Sequence, residues 1–136
     1  MADEDVRVAD KQNSDVGFRS EHRLHAAAEF SLVFAARRVL RGEKFDLHYR
    51  SRDEVSVKTS VGARLGLVIA KKLARHAVQR NLLKRLAREV FRHARQGLPA
   101  YDLILRLSKL PDGKLDGEVR RGLRADVDRL LIRLPR

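Results

Sequence analysis

Apolar residues recur along this 136-residue chain with two different spacings, and the change between them separates helices from strands. Between Arg23 and Arg41 the spacing is helical, and arginines followed by Gly42 are typical signals for the end of a helix. This segment is therefore predicted to form the first helix. Residues 1–19 are polar and lack periodicity, which predicts a disordered N-terminal tail before a single domain over residues 20–136.

Strand patterns follow the first helix. Residues from Phe45 to Ser51 alternate between apolar and polar, as expected for a strand with one buried face. The stretch from Arg64 to Ala70 is almost continuously apolar, which favours a central strand covered on both faces. Between them, Val55 and Val57 indicate either a further edge strand or an irregular loop.

A long helix is predicted from about Leu73 to Gln96, and its residues separate by type when they are placed around a helical wheel. One arc is basic and contains Arg80, Asn81, Lys84, Arg85, Arg88, Arg92 and Arg95. The opposite arc is apolar and contains Leu82, Leu83, Leu86, Ala87, Val90 and Ala94. We therefore expect the apolar arc to face the core and the basic arc to face solvent or a ligand.

The last third of the chain adds one strand and one helix. Residues from Tyr101 to Leu107 read as a strand, and the intervening helix allows it to lie parallel to the strand that begins at Arg64. The general rule makes such a crossover right-handed. Asp116 is the expected N-cap of the final helix, whose apolar stripe ends at Leu134. The predicted order is α-β-β-β-α-β-α within one α+β domain.

Charge narrows the possible partners. The chain has 30 basic and 18 acidic residues, a net charge of +12 and a pI of about 11.0, so its surface attracts polyanions. Nucleic acid is the leading partner, because the sequence has neither an apolar run long enough to span a bilayer nor a signal peptide. We expect a soluble cytoplasmic protein, and the lack of cysteine excludes disulfides and thiolate chemistry.

Catalysis by the protein itself has little support in the sequence. There is no glycine-rich phosphate loop, nucleophile elbow or HExxH motif, and the acids are scattered. His22 and His25 give only a weak indication of a metal site, since two histidines without further ligands are usually ordinary surface residues. Phe30 and Phe34 lie on one helix face, where core packing and base stacking are both possible. The basic arc carries almost no acid, which favours nucleic-acid contact over a merely solvated face.

Four motifs together resemble the bacterial ribonuclease P protein component. They are E-F-x-x-V-F from Glu29 to Phe34, R-L-G-L-x-I-A-K-K from Arg64 to Lys72, A-V-x-R-N-x-x-K-R-L-x-R-E from Ala77 to Glu89 and L-P-A-Y-D from Leu98 to Asp102. Leu82 departs from the pattern, since the family usually has arginine after Arg-Asn. The alternative is a ribosomal or other RNA-binding module without a processing role.

The resemblance implies a fold similar to the second domain of ribosomal protein S5, with a left-handed βαβ crossover. It implies a subunit that joins a catalytic RNA and assists Mg²⁺-dependent removal of the 5′ leader from precursor tRNA, with the chemistry and most of the Mg²⁺ binding residing in the RNA. Contacts to the catalytic RNA would come from Arg64, Lys71, Lys72, Arg75, Arg80, Asn81, Lys84, Arg85 and Arg88. A leader-binding cleft would contain Phe30, Phe34 and His48, the last in place of a tyrosine. Neither a membrane nor an obligate protein partner is expected.

Overall fold

Seven helices and strands make up the domain in the computed structural model, which describes residues 22–52, 62–111 and 114–135. The elements are α1 (Ala27–Ala35), β1 (Val39–Arg41), β2 (Phe45–Ser51), β3 (Arg64–Val68), α2 (Ala77–Ala94), β4 (Tyr101–Leu107) and α3 (Gly117–Ile132). A 3₁₀ turn, Arg95–Gly97, follows α2. The predictions for the tail over residues 1–19 and for Val55 and Val57 lie outside the described residues.

The four strands form one sheet in the order β1-β2-β4-β3. β2 is antiparallel to both of its neighbours, whereas β3 and β4 are parallel and are connected through α2. The predicted α+β class, the bounds of β2 and β4 and the parallel pair are therefore confirmed, and the handedness of the crossover stays a prediction. The central position expected for β3 is wrong, because β3 lies at the edge of the sheet. The Leu24 amide donates to the Leu65 carbonyl at 3.1 Å and covers part of that edge, while helices cover both faces.

The first helix is shorter than the sequence predicted. It ends at Ala35, and Arg37 adopts a left-handed backbone conformation with a φ of 56°. The chain then forms β1, whose residues pair with β2. Gly42 belongs to the turn of this hairpin, where its amide donates to the Phe45 carbonyl at 2.8 Å. Pairing in a sheet therefore prevails over the helical spacing that the arginines and Gly42 suggested.

Arg37 offers a test of this helix end. Among the described residues it is the one non-glycine residue with positive φ, a conformation in which a side chain costs about 1 kcal/mol or more. We expect Arg37→Gly to raise the free energy of unfolding by about 0.5 kcal/mol, since the unfolded chain also gains freedom. Urea denaturation measures this change. The neighbouring Arg38→Gly removes the same charge and should lower stability; equal effects of the two variants would contradict the strain argument.

Alternation along the strands divides the core between the two faces of the sheet. α2 and α3 pack on one face against buried residues such as Leu47, Leu67 and Leu105. α1 packs on the other, where Leu24, Val33 and Ile104 form a smaller buried cluster. We call this second surface the α1 face. Because β2, β3 and β4 each contribute alternate residues to it, their polar side chains lie beside a short helix that leaves part of the face open.

α3 is fixed at both its start and its middle. Asp116 caps it as predicted, accepting a hydrogen bond from the Val119 amide at 2.9 Å. Asp126, only 2% exposed, reaches the β1–β2 turn and accepts hydrogen bonds from three consecutive backbone amides. These belong to Glu43, Lys44 and Phe45, at 2.9, 3.0 and 3.0 Å. One buried carboxylate therefore joins the last helix to the first hairpin.

Candidate nucleic-acid interface

Exposed cations lie in the loop before α2 and along the first half of that helix. Lys71, Lys72, Arg75 and Arg85 are exposed, as is Asn81, and we call these five residues the basic surface. Within the described ranges none of the four cations forms an ion pair. Their charges are therefore available to an external anion.

The first turn of α2 adds partial positive charge to this surface. No side chain caps the helix at His76, and the first turn contains no acid, so the backbone amides there are not satisfied by an anionic group of the helix itself. Arg80 contributes in a different way from the exposed cations. Its guanidinium is partly buried and donates to the carbonyls of Ala74 and Arg75, both at 3.0 Å. Arg80 thereby fixes the loop that presents the neighbouring cations.

Lys84 corrects the helical-wheel prediction. It was placed on the exposed basic arc, yet it is only 3% exposed. Phe91, seven residues further along and therefore on nearly the same side of the helix, is fully buried. The helical wheel predicted that the whole basic arc faces solvent. In the structure, the buried face of α2 is wider and includes Phe91 and Lys84. Lys84 is accordingly not part of the basic surface.

In the C-terminal half of α2, unlike the first half, an acid partly neutralises the basic side chains. Arg92 Nη2 lies 2.5 Å from Glu89 Oε2, and His93 Nε2 lies 3.1 Å from the same oxygen. The hydrogen bond from Arg92 is the main cause that holds the pKa of Glu89 below its ordinary value. Arg88 and Arg95 are half-buried. The strongest exposed positive charge therefore lies at the start of α2.

The three predicted cleft residues meet on the α1 face. The Phe34 ring, 37% exposed, makes an edge-on contact with the His48 ring at a centroid distance of 4.8 Å. Phe30 is half-buried and lies directly over Gly66 of β3, where an added Cβ would come within 2.7 Å of its ring. Gly66 therefore allows Phe30 to pack on the strand, while Phe34 remains available for contact with a ligand.

His48 has an unusual environment for a half-buried imidazole. Its Nε2 is buried and has no hydrogen-bond partner among the described residues. Burial, together with the charges of Arg106 and Arg41, lowers the pKa of His48 below its ordinary value, against the opposing effect of Asp46. This environment therefore favours the neutral imidazole, in which Nε2 either carries the proton or lacks it, depending on the tautomer.

Arg64 lies on the α1 face and not on the basic surface. Its Nε and Nη2 donate to the two carboxylate oxygens of Asp102 at 2.8 and 2.9 Å, and its Nη1 donates to Glu29 at 3.0 Å. The hydrogen bond to Asp102 is the first cause of the raised pKa of Arg64. Strand alternation explains the position, since Leu65 and Leu67 point to the opposite face of the sheet. Contact between Arg64 and the catalytic RNA stays a prediction.

Glu29 connects this ion network to the start of α1. It accepts hydrogen bonds from the amides of His25 and Ala26, at 2.7 and 3.1 Å, in addition to its contact with Arg64. Burial alone would raise the pKa of Glu29, but the two amides and Arg64 outweigh it and hold the pKa below its ordinary value. α1 is thus anchored to β3 at the end next to Phe30.

Sequence reasoning missed three buried residues that organise the site. Asp102 is 2% exposed and also forms an ion pair with Arg52 Nε at 2.9 Å. Asp126 lies within the apolar stripe of α3, between Leu123 and Val127, and an acid in such a stripe is a signal for a buried hydrogen-bonding role. Phe91, an aromatic residue within the basic arc, was the signal that this arc is partly buried.

The described ranges contain no group of three or more His, Cys, Asp or Glu side chains that could hold a metal ion. Asp102, Asp126 and Glu29 are engaged by arginines or backbone amides, so their geometry does not fit a divalent cation. The predicted weak metal indication from His22 and His25 gains no further ligand there. In those same ranges no helix has the length and apolar character needed to cross a membrane.

Comparison with known proteins gives one consistent result. The sequence model of the family described as Ribonuclease P matches residues 18–133. The ribonuclease P protein component of Azoarcus sp. is 47% identical over 128 residues, covering 94% of this chain and 98% of that protein. The component from Bordetella petrii is 43% identical over 108 residues, covering 79% of this chain and 87% of its own length.

Solved structures show the same fold. The RNase P protein from Thermotoga maritima, in complex with 1-(4-fluorophenyl)-2-thiourea, superimposes with a TM-score of 0.65 at 29% identity. The alignment covers 83% of this chain and all of that one, 100%. A mutant RNase P protein from Staphylococcus aureus, at 20% identity, superimposes with a TM-score of 0.69 over 93% of this chain and 94% of that chain.

Proposed function

Because the chain belongs to the ribonuclease P protein family, we propose that it binds the catalytic RNA through the basic surface and the precursor tRNA leader through the α1 face. Family membership makes it a ribonuclease P subunit that acts in tRNA 5′ maturation. The observation that carries the RNA contact is the group of four exposed cations without ion pairs, three in the loop before the uncapped start of α2 and one in the first half of the helix. A solvated helix face would normally pair such charges with acids.

Charge neutralisation is the main physical contribution of the basic surface. The catalytic RNA and the precursor tRNA are both polyanions, so bringing them together costs electrostatic free energy that bound cations reduce. Each phosphate contact by Lys71, Lys72, Arg75 or Arg85 releases condensed counterions, which favours association and makes it depend on salt. A less repulsive assembly also retains Mg²⁺ more readily.

Leader binding would rely on contacts that tolerate sequence variation. A single-stranded leader offers base faces and phosphates, and stacking of a base on an aromatic side chain contributes about 1–3 kcal/mol. Phe34 is the better stacking residue because its ring is partly exposed, whereas Phe30 packs on Gly66. His48 supports the Phe34 ring through their edge-on contact.

Hydrolysis of the phosphodiester would reside in the RNA. Mg²⁺ would be held mainly by the catalytic RNA and the substrate, because the acids Asp126, Asp102 and Glu29 are used in structural contacts. The protein would then act as a binding subunit in the cytoplasm, where precursor tRNA is processed.

Reconstitution tests this function. Precursor tRNA is incubated with Mg²⁺ and the protein alone, and then with the cognate catalytic RNA at low and at physiological Mg²⁺. We expect release of an intact leader only when the catalytic RNA is present, with stimulation by the protein that is greatest at low Mg²⁺. Cleavage by the protein alone would indicate a protein nuclease instead. No stimulation in any condition would favour an RNA-binding module without a processing role.

A further inference from the structure

Two arginines on the α1 face lie on either side of the Phe34–His48 pair, and neither has a carboxylate to itself. Arg50 is two residues beyond His48 on β2, and its side chain is 34% exposed. Arg106 of β4 is exposed and lies opposite Asp46, which is two residues before His48. Along the strands the two arginines are therefore separated by about four residues, or roughly 14 Å.

Arg50 is held beside a carboxylate that is already occupied. Its Nη1 is 3.7 Å from Asp102 Oδ2, which is too long for a hydrogen bond. Arg64 and Arg52 occupy both oxygens of Asp102 at 2.8–2.9 Å. Three guanidinium groups thus surround one carboxylate, and among the described residues Arg50 forms no hydrogen bond. An incoming phosphate would supply the missing anion without breaking the Arg64 contacts.

Arg106, unlike Arg50, has no ion pair in the described part of the chain. The acid opposite it, Asp46, instead pairs with Arg41 at 3.1 Å. The charge of Arg106 is close enough to His48 to lower the pKa of that imidazole. The order along the strands is therefore Arg106, then the Phe34–His48 pair, then Arg50.

We propose that Arg50 and Arg106 bind phosphates of one single-stranded RNA segment that crosses the α1 face along β2 and β4, with a base at Phe34 and His48 between them. This inference rests on the proposed leader binding and adds the path of the leader and its phosphate contacts. Arginine suits this role because its planar group can donate two hydrogen bonds to one phosphate.

The sheet also assigns a direction to the path. β3 and β4 are parallel, and Val68 at the end of β3 is opposite Arg106. Lys71 and Lys72 follow Val68 directly, so Arg106 lies at the same end of the sheet as the basic surface, whereas Arg50 lies opposite Asp102 at the other end. Leader nucleotides closest to the cleavage site must be closest to the catalytic RNA. They therefore meet Arg106, and the more distant 5′ nucleotides meet Arg50.

The test uses enzyme reconstituted from the full-length protein and the cognate catalytic RNA, with precursor tRNAs of graded leader length and with mature tRNA. Arg106→Gln and Arg50→Gln should each lower precursor affinity by about three- to tenfold and reduce the slope of log affinity against log salt by about 0.7. The loss for Arg106→Gln should begin at a shorter leader length than the loss for Arg50→Gln. Mature tRNA should bind all variants equally, and Arg50→Lys should retain the salt slope.

Arg121→Gln is the matched control, since Arg121 is exposed on α3 at the opposite face of the sheet, and it should behave as wild type. Equal losses with mature tRNA, no loss at any leader length, or the reverse order of leader lengths would each overturn the path. If the wild-type enzyme itself fails to prefer a leader-bearing tRNA over mature tRNA, the leader binding proposed above is wrong. Unchanged thermal unfolding of each variant confirms that a loss of affinity is a loss of contact.

Discussion

Charge reversal at Lys72 and Arg85 together is expected to lower the affinity of the protein for the catalytic RNA by about a hundredfold at moderate salt. Both side chains are exposed and lack ion pairs in the described part of the chain, so replacing them with glutamate breaks no ion pair there. Two phosphate contacts are lost and repulsion is added. The slope of log affinity against log salt should fall by about 2.

Filter binding or fluorescence titration across a salt series measures this effect. Arg38→Glu with Arg121→Glu changes the net charge equally at exposed positions outside the basic surface, and it should cost less than about tenfold because only long-range attraction is lost. If both double variants weaken binding by the same factor, the basic surface is not the contact. Arg80 and Lys84 are unsuitable for this experiment, since one fixes the loop before α2 and the other is buried.

Removing the Asp126 carboxylate is expected to cause the largest loss of stability. In Asp126→Ala the amides of Glu43, Lys44 and Phe45 lose their shared acceptor within a part-buried turn. A hydrogen bond to a charged group contributes about 1.5–3 kcal/mol, and unsatisfied buried donors add to the loss, so we expect a decrease of about 3 kcal/mol or more in the free energy of unfolding. Urea denaturation followed by circular dichroism measures it.

Asp128→Ala is the matched control for Asp126→Ala, because Asp128 lies on the same helix and is exposed. Its effect should be within about 0.5 kcal/mol of wild type. Asp126→Asn should give an intermediate loss, since the amide keeps the shape and one acceptor oxygen but loses the charge. Wild-type stability of Asp126→Ala would show that water satisfies the turn amides as well as the carboxylate does.

Local sequence patterns were sufficient to predict a helix or strand correctly where that element has one buried face and clear end signals. The bounds of β2 and β4 and the Asp116 cap were predicted correctly, because alternation and N-cap chemistry depend on neighbours within a few residues. Helical spacing in the first segment was misleading past Ala35. The spacing of apolar residues at Val39–Arg41 is compatible with a helix and with a strand, and pairing with β2 makes this segment a strand.

The candidate site divides in the same way. The cations of Lys71, Lys72, Arg75 and Arg85 could be predicted, because a long run without acids is visible in the chain. The sequence did not reveal which of the cations are exposed. A wheel places residues around one helix axis, whereas the burial of Lys84 and Phe91 depends on how α2 is rotated against the rest of the domain.

The sequence alone was enough to predict the family, the fold class, the basic helix and the aromatic residues of the α1 face. Each of these depends on residue type and short-range spacing. The tertiary structure alone decided that Arg64 is neutralised by Asp102 and Glu29, that Asp126 holds the first hairpin, and that Arg50 shares Asp102 with two other arginines. Each of these contacts joins residues 35 or more positions apart. Strand order and register determine such pairings, and no local pattern contains them.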